Sequence, residues 1–218
     1  MMMTRSRPRF GLALPAVALL GVVLGGCVGR SDPSRFYVLT AVSRPTGGAP
    51  SAEGDKGPAL GVGPVTLPRY LDRANIVTRR GAEVEVAEFD RWSEPLNDGV
   101  PRVLAANLAT LLQTDRILAF PWPGDRVVEH QVVIDVIQFD GTVGGDVLLE
   151  ARWRVLGPDR KELVLRYSSL REPTGEPGYL GLVGAMSRAL AGLSEEVARS
   201  IKALPARQAR IPGAPAGR

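Results

Sequence analysis

The sequence has only one cysteine and one histidine among its 218 residues. A disulfide within the chain needs two cysteines, and the common zinc sites combine several Cys and His ligands, so this chain can build neither. No Gly-x-Ser-x-Gly motif presents a nucleophilic serine, and the glycine-rich stretches lack the Lys-Ser/Thr of a phosphate-binding loop. We therefore predict no catalytic residue, no metal ion and no cofactor, and we expect that the protein is not an enzyme.

The sequence also lacks a large excess of charge of one sign and long apolar runs. The chain has 27 Lys and Arg against 23 Asp and Glu, which gives a formal net charge of +4. Residues 1–26 and 207–218 each hold three arginines and no acid, so the rest of the chain is slightly acidic. Because the basic residues form no run, we predict no nucleic-acid partner. No stretch reaches the roughly 20 apolar residues that span a bilayer as a helix.

The amino-terminal segment has the layout of a secretory signal peptide. Three arginines within residues 5–9 precede an apolar stretch over residues 10–24, and two glycines follow. Cys27 comes next, and the sequence Leu-Gly-Gly-Cys at 24–27 resembles the lipobox of bacterial lipoproteins. The resemblance implies a signal peptide over residues 1–26, acyl chains on Cys27 and a tether over residues 27–34. The alternatives are an ordinary signal peptide with a chance cysteine and a retained membrane anchor.

Hydrophobic periodicity predicts strands and two helices in the rest of the chain. The helices are predicted over residues 96–114 and 178–204, and the strands over residues 35–42, 60–67, 76–79, 84–89, 116–120, 128–139, 146–156 and 161–171. This order favours an α+β fold, with one mainly antiparallel sheet and two amphipathic helices packed on one face. We predict one domain over residues 35–204, with a Gly/Pro-rich loop at 43–58 and a disordered tail at 205–218.

The alternation of apolar and polar residues predicts which side of each strand is buried. In strand 146–156 the residues from Val147 to Val155 in steps of two are predicted to face the core. In strand 161–171 the predicted core residues are Leu163, Leu165 and Tyr167, opposite Arg166 and Ser168. Two glycines and Pro64 interrupt strand 60–67, which favours an edge position.

Few single residues suggest chemistry. His130 would need a nucleophile or a carboxylate held beside it for catalysis, so we interpret it as a surface histidine at a strand end. Asp135 is interpreted as a solvated or hydrogen-bonded carboxylate. We expect Trp153 in the core. Trp92 either packs at the start of the first helix or lies at a partner surface. Trp122, within a Pro-flanked turn, either packs locally or contacts a partner or a membrane.

Five stretches, taken in their order along the chain, resemble the ABC-type transport auxiliary lipoproteins, the PqiC-type subunits of MCE lipid-transport systems. They are Ser-Arg-Phe-Tyr-Val-Leu at 34–39, the segment 60–73, Arg-Trp-Ser-Glu-Pro-Leu at 91–96 with the helix that follows, Phe-Pro-Trp at 120–122, and the final helix around 186–194. Together they cover nearly all of residues 34–204.

The resemblance implies a non-enzymatic lipoprotein that faces the periplasm and works with the MCE-domain protein of an intermembrane lipid transporter, in support of envelope integrity. Val28 follows the lipidated cysteine where an Asp would indicate retention in the inner membrane of many bacteria, so we predict an outer-membrane anchor. Inner-membrane anchoring is the alternative. A homo-oligomer is also compatible with this family.

The predicted partner-binding patch combines Trp92, Pro95, Phe120 and Trp122, because aromatic residues next to prolines bind with little loss of conformational entropy. The alternative function is a periplasmic lipid- or lipopolysaccharide-binding assembly lipoprotein that acts without an MCE partner. That function requires an apolar groove between the helices and the sheet. The missing nucleophile–base signature disfavours a periplasmic hydrolase.

Overall fold

Strands and helices follow each other in the order that the periodicity predicts. The computed structural model describes residues 32–42, 59–123 and 128–205. Within these residues the elements are β1 (Arg35–Tyr37), β2 (Leu60–Thr66), a 3₁₀ turn (Arg69–Leu71), β3 (Asn75–Arg80), β4 (Glu83–Trp92), α1 (Leu96–Leu112), β5 (Ile117–Ala119), β6 (His130–Gly141), β7 (Asp146–Leu156), β8 (Glu162–Pro173) and α2 (Gly178–Lys202). The predicted signal peptide, Cys27, the predicted loop at 43–58 and most of the predicted tail lie outside the described residues.

The strands form two mixed sheets. The larger sheet has the strand order β5-β2-β6-β7-β8, and the smaller sheet has the order β1-β4-β3. β2 runs parallel to β5 and β6, whereas β6, β7 and β8 form an antiparallel meander. In the smaller sheet β1 is parallel to β4, and β3 and β4 form a hairpin. The α+β fold is confirmed, with two mixed sheets in place of a single, mainly antiparallel one.

Both helices pack on one face of the larger sheet and against each other. We call this side of the sheet the helix face and the other side the open face. The alternation in β7 is confirmed, since its residues from Val147 to Val155 in steps of two are buried on the helix face. Leu182, Leu190 and Leu193 of α2 are fully buried there as well. Burial of each such side chain contributes about 1.5–3 kcal/mol to the stability of the fold.

The buried side of β8 is the opposite of the predicted one. Leu163, Leu165 and Tyr167 are exposed, whereas Ser168 is buried. Residues directly opposite each other in an antiparallel pair lie on the same face, and Ser168 is opposite the buried Ala151 of β7. Ser168 accepts a hydrogen bond from the Trp153 indole Nε1 at 2.8 Å and donates one to Glu196 of α2. Hydrogen bonds from Trp153 to Ser168 and from Ser168 to Glu196 therefore link the sheet to α2. They take the place of an apolar contact.

The predicted edge position of β2 is also wrong. β2 lies inside the larger sheet, between β5 and β6. Its pairing with β6 shifts between Val62 and Val65, so that Gly63 and Pro64 occupy an irregularity in the ladder. Proline lacks the N–H that a regular ladder needs, and a bulge removes that requirement. An interior strand can therefore carry Pro64.

Two buried carboxylates accept hydrogen bonds from neighbouring elements. Asp140 of β6 accepts hydrogen bonds from the Tyr70 hydroxyl and, at 2.8 Å, from the Gln138 amide. Burial and, as the second cause, the hydrogen bond to Asp140 raise the pKa of Tyr70 to about 12. Asp90 of β4 accepts hydrogen bonds from Arg35 at 2.9 Å and from Tyr37 at 2.7 Å. Because a buried carboxylate is costly without partners, each acid fixes the elements around it.

Candidate docking surface on the open face

The segment Phe120-Pro121-Trp122, which we call the aromatic turn, follows directly after β5. The Phe120 backbone N–H donates a hydrogen bond to the Val62 carbonyl at 2.9 Å, so the turn is fixed to the middle of β2. The rings of Phe120 and Trp122 meet edge to face, with 5.6 Å between centroids and an interplanar angle of 89°. This is a favoured geometry for an aromatic pair. The two aromatic residues therefore form one preorganised unit.

Two glycines of β2 leave the space that the aromatic turn occupies. A Cβ atom on Gly61 would lie 2.5 Å from Cη2 of Trp122, and one on Gly63 would lie 2.7 Å from Cβ of Phe120. Gly63 also has a φ of +115°, which side chains rarely adopt. Since Leu60 and Val62 face the helices, Gly61 and the indole lie on the open face. Sequence reasoning interpreted these glycines only as turn or bulge residues.

The aromatic turn presents Phe120 more openly than Trp122. Phe120 is 51% exposed, whereas Trp122 is partly buried against the sheet. Phe120 can therefore contact a partner directly, while Trp122 supports it and offers one edge of its ring. This arrangement matches an interface anchor, which needs exposed apolar area on a rigid base.

Trp92 and Pro95, the other two residues of the predicted patch, lie on the segment that leads into α1. Trp92 is 6% exposed and belongs to the core cluster together with Leu96. We therefore remove Trp92 from the contact residues, because it packs beneath the surface. Pro95 is exposed and immediately precedes α1, where its carbonyl accepts hydrogen bonds from the N–H groups of Asp98 and Gly99, both at 2.9 Å. Its role in partner binding stays a prediction.

Beyond the aromatic turn, the open face carries both polar and apolar side chains. Gln131 of β6 donates to the Gly63 carbonyl at 2.9 Å, and Asp135 accepts from the Thr66 hydroxyl at 2.8 Å. The exposed Leu165 and Tyr167 of β8 lie on the same face. With about 4.8 Å between neighbouring strands, β8 is about 14 Å from β2 across the sheet. The open face thus offers a broad surface with the aromatic turn near one edge.

His130 begins β6 on the helix face, near the end of α2. It lines a groove of about 340 Å³ together with Gly157, Lys161 and Leu204, and burial lowers its pKa. Its Nδ1 is buried and has no hydrogen-bond partner among the described residues. No Ser, Thr or Cys nucleophile and no pair of acids lies among the residues that line this groove. Catalysis by His130 therefore receives no support from its surroundings.

Neither a metal-binding cluster nor a membrane-spanning helix occurs among the described residues. Within residues 32–42, 59–123 and 128–205, no group of three or more His, Cys, Asp or Glu side chains is placed to hold a metal ion. In the same part of the chain, neither helix combines the length and apolar character of a membrane span. The predicted lipid anchor at Cys27 lies outside this part.

The family of the chain follows from its sequence. The family model of the ABC-type transport auxiliary lipoprotein component matches residues 37–198, about three quarters of the chain. The chain belongs to this family. The resemblance noted from its five sequence stretches is confirmed, and the protein is an auxiliary lipoprotein associated with ABC-type transport.

Two solved structures share the fold of this auxiliary lipoprotein. A crystal structure of an uncharacterized protein aligns with a TM-score of 0.62 at 21% identity, and covers 78% of this chain and 99% of that one. Protein XCC0632 from Xanthomonas campestris aligns with a TM-score of 0.60 at 16% identity, and covers 76% and 93% of the two chains. At these identities the likeness concerns the fold alone. No curated protein matches the sequence.

Proposed function

We propose that this protein is the membrane-anchored adaptor of an MCE-type intermembrane lipid transporter. Acyl chains on Cys27 hold it in the outer membrane, with the folded domain in the periplasm. The domain binds the MCE-domain protein through the aromatic turn, and this contact supports the integrity of the envelope. The adaptor itself carries out no reaction.

Family membership supports the general role, because an auxiliary component of ABC-type transport works beside the subunits that move the substrate. The lipobox-like sequence at 24–27 supports the anchor. Two or more acyl chains bind a bilayer stably, whereas one chain binds only marginally. A stable anchor and a protein-binding surface are the two properties that an adaptor needs.

The aromatic turn is the observation that favours a docking function. Phe120 is exposed although glycines at positions 61 and 63, a backbone hydrogen bond and Trp122 hold it in place. Ordering of flexible side chains is a major cost of association. A large apolar side chain that is already ordered avoids much of this cost.

The packing of the domain favours the adaptor over the alternative lipid- or lipopolysaccharide-binding function. That alternative needs an apolar groove between the helices and the sheet. This space is filled by fully buried side chains, among them Phe139, Trp153, Met186 and Leu190. Two grooves among the described residues lie near the two ends of α2.

Capture of the MCE-domain protein encoded beside this chain tests the proposal. The lipoprotein is purified in detergent, and its affinity for the immobilised partner is compared among the wild type, Phe120→Ala and Phe36→Ala. Loss of an interface anchor costs about 2 kcal/mol or more, so we expect roughly 30-fold weaker binding for Phe120→Ala. Because the Phe120 side chain is exposed, the thermal unfolding temperature of the Phe120→Ala variant should differ little from that of the wild type.

Phe36 is the matched control, since it is also an exposed phenylalanine but lies on β1 of the smaller sheet. Phe36→Ala should bind like the wild type. Equal affinities for all three proteins would refute docking through the aromatic turn. If the wild type itself does not bind, the adaptor function has to be abandoned.

A further inference from the structure

The segment that begins within β1 and continues beyond it crosses the helix pair as an extended strap. Side chains along residues 36–42, which we call the strap, alternate strictly between inward and outward positions, as in a strand. Tyr37, Leu39 and Ala41 turn inward and pack on the core cluster. Of the four outward side chains, Phe36, Val38 and Val42 are apolar and exposed, with Phe36 63% exposed, and Thr40 is polar.

Hydrogen bonds from both helices hold the strap in one position. Arg102 of α1 donates to the Leu39 carbonyl at 3.1 Å. The Thr40 N–H donates to the Ser187 hydroxyl of α2 at 3.1 Å, and the Val42 N–H donates to the Asn107 side-chain carbonyl at 2.7 Å. Asn107 and Ser187 are buried, so these contacts are protected from water. The outward side chains are consequently presented on a fixed backbone.

Leu180, in the first turn of α2, adds a fourth apolar side chain to this surface. It is 64% exposed, and it lines a groove of about 490 Å³ together with Val38. Its neighbour Tyr179 turns inward, with its ring centroid 6.5 Å from that of Tyr37. Exposed single hydrophobic residues are common, but a cluster on a rigid base indicates a binding surface. We call Phe36, Val38, Val42 and Leu180 the strap patch.

The position of the strap patch in the chain identifies its occupant. Only seven residues, 28–34, separate Cys27 from Arg35 at the start of β1. A chain of this length spans at most about 25–30 Å when fully extended. A lipid anchor on Cys27 therefore keeps the beginning of the strap close to the bilayer. This covalent restriction gives the strap a high effective concentration at the membrane surface.

The charges around the strap patch suit a lipid surface. Arg91 is exposed and lies beside Phe36 in the parallel pairing of β1 and β4. Arg188 lines the same groove as Val38 and Leu180, together with the exposed Glu176, and it pairs with Glu172. Apolar side chains flanked by arginines are typical of protein surfaces that enter the boundary between acyl chains and anionic headgroups.

We propose that the strap patch inserts into the interfacial layer of the bilayer that carries the Cys27 anchor. The patch lies on the helix side of the larger sheet, and the aromatic turn lies on the open face. Insertion of the patch therefore orients the domain so that the aromatic turn points away from the membrane, toward an approaching partner. This inference rests on the proposed anchor at Cys27.

Fluorescence of a labelled variant tests this orientation. The full-length lipidated protein carrying Leu180→Cys is labelled with a nitrobenzoxadiazole dye and placed in vesicles of equal parts phosphatidylethanolamine and phosphatidylglycerol. The matched control is Tyr167→Cys, an exposed position of the open face on β8. We expect blue-shifted emission at position 180 and loss of most of its fluorescence to lipids that carry a nitroxide near the headgroup. The label at position 167 should show neither effect.

The unsubstituted protein separates failure of the anchor from failure of the patch. With acyl chains on its sulfur, Cys27 should take up no dye, and the protein should float with the vesicles. If it floats but the label at position 180 behaves like the label at 167, the strap patch does not meet the membrane. If it fails to float, the proposed anchor is wrong and the inference that depends on it falls with it.

Discussion

At the scale of single residues, the exposed Phe120 depends on residues that have no side chain at all. Gly61 and Gly63 leave room on the open face of an interior strand, and the aromatic turn fills it. The sequence indicated that a Pro-flanked tryptophan could be a contact residue. It did not show that Trp122 is the support and Phe120 the exposed tip, because that assignment depends on pairing between β2 and β5, which are distant in sequence.

Trp92 illustrates the opposite outcome at the same scale. Its sequence surroundings resemble those of Trp122, since a proline follows within three residues. The two differ because Trp92 ends a strand whose buried side meets the core, whereas Trp122 lies on the open face. Local composition cannot distinguish these cases, because exposure is decided by the element that packs above the ring.

Tyr70 and its partner Asp140 lead to a prediction about pH. The pKa of Tyr70 is raised from 10.0 to about 12, so the fold favours the neutral phenol. Its contribution to stability is complete below pH 10 and is lost as the pH rises through the interval up to about 12. Urea unfolding should therefore show a smaller loss of stability above pH 10 in Tyr70→Phe than in the wild type.

At neutral pH the same variant should be less stable by about 1.5–3 kcal/mol, because it loses a hydrogen bond to a charged group. Tyr167→Phe is the control, since Tyr167 is exposed and should change stability little. Parallel pH profiles of the wild type and Tyr70→Phe would show that the hydroxyl of Tyr70 is not linked to folding.

At the scale of elements, the helices were predicted well, but the buried side of the edge strand β8 was not. The helices predicted at 96–114 and 178–204 are Leu96–Leu112 and Gly178–Lys202 in the structure. β7 was predicted correctly because strands on both sides and helices above fix its buried face. β8 has a neighbour on one side only, so its apolar residues Leu163 and Leu165 are allowed to face water, and the alternation gave the wrong side.

Substitutions in α2 test the predicted packing of its apolar stripe. Leu190 is fully buried on the helix face, so Leu190→Ala should cost about 2–5 kcal/mol of unfolding free energy. Arg199 is exposed on the opposite side of the helix, and Arg199→Ala should cost less than about 1 kcal/mol. Chemical denaturation of both variants measures the difference. Similar small losses would mean that α2 does not pack on the sheet as described.

At the scale of the whole molecule, the proposals assign the two sides of the domain to different tasks. The strap patch on the helix side meets the membrane, and the aromatic turn on the open face meets the transporter. Sequence analysis indicated a membrane anchor and a partner surface, but the strap patch could not be recognised from it. The first strand was predicted as a member of a single sheet, whereas residues beyond β1 leave the sheet and cross the helices.

The anchor makes its own prediction at this scale. Mass spectrometry of the protein extracted from membranes should find Cys27 as the first residue, with acyl groups on its sulfur and its amino terminus. Cys27→Ser should leave an unprocessed precursor or release the protein from the membrane. An unmodified Cys27 in the wild-type protein would contradict the anchor.

Cross-linking in the intact cell envelope tests the central claim, docking on an MCE-domain protein through the open face, most directly. A photo-reactive amino acid is placed at position 120, and the cross-linked product is identified by mass spectrometry, with position 36 as the comparison. The account predicts that position 120 cross-links to the MCE-domain protein and that position 36 does not. A product with this partner from position 36 alone, or no such product from either position, would contradict the account.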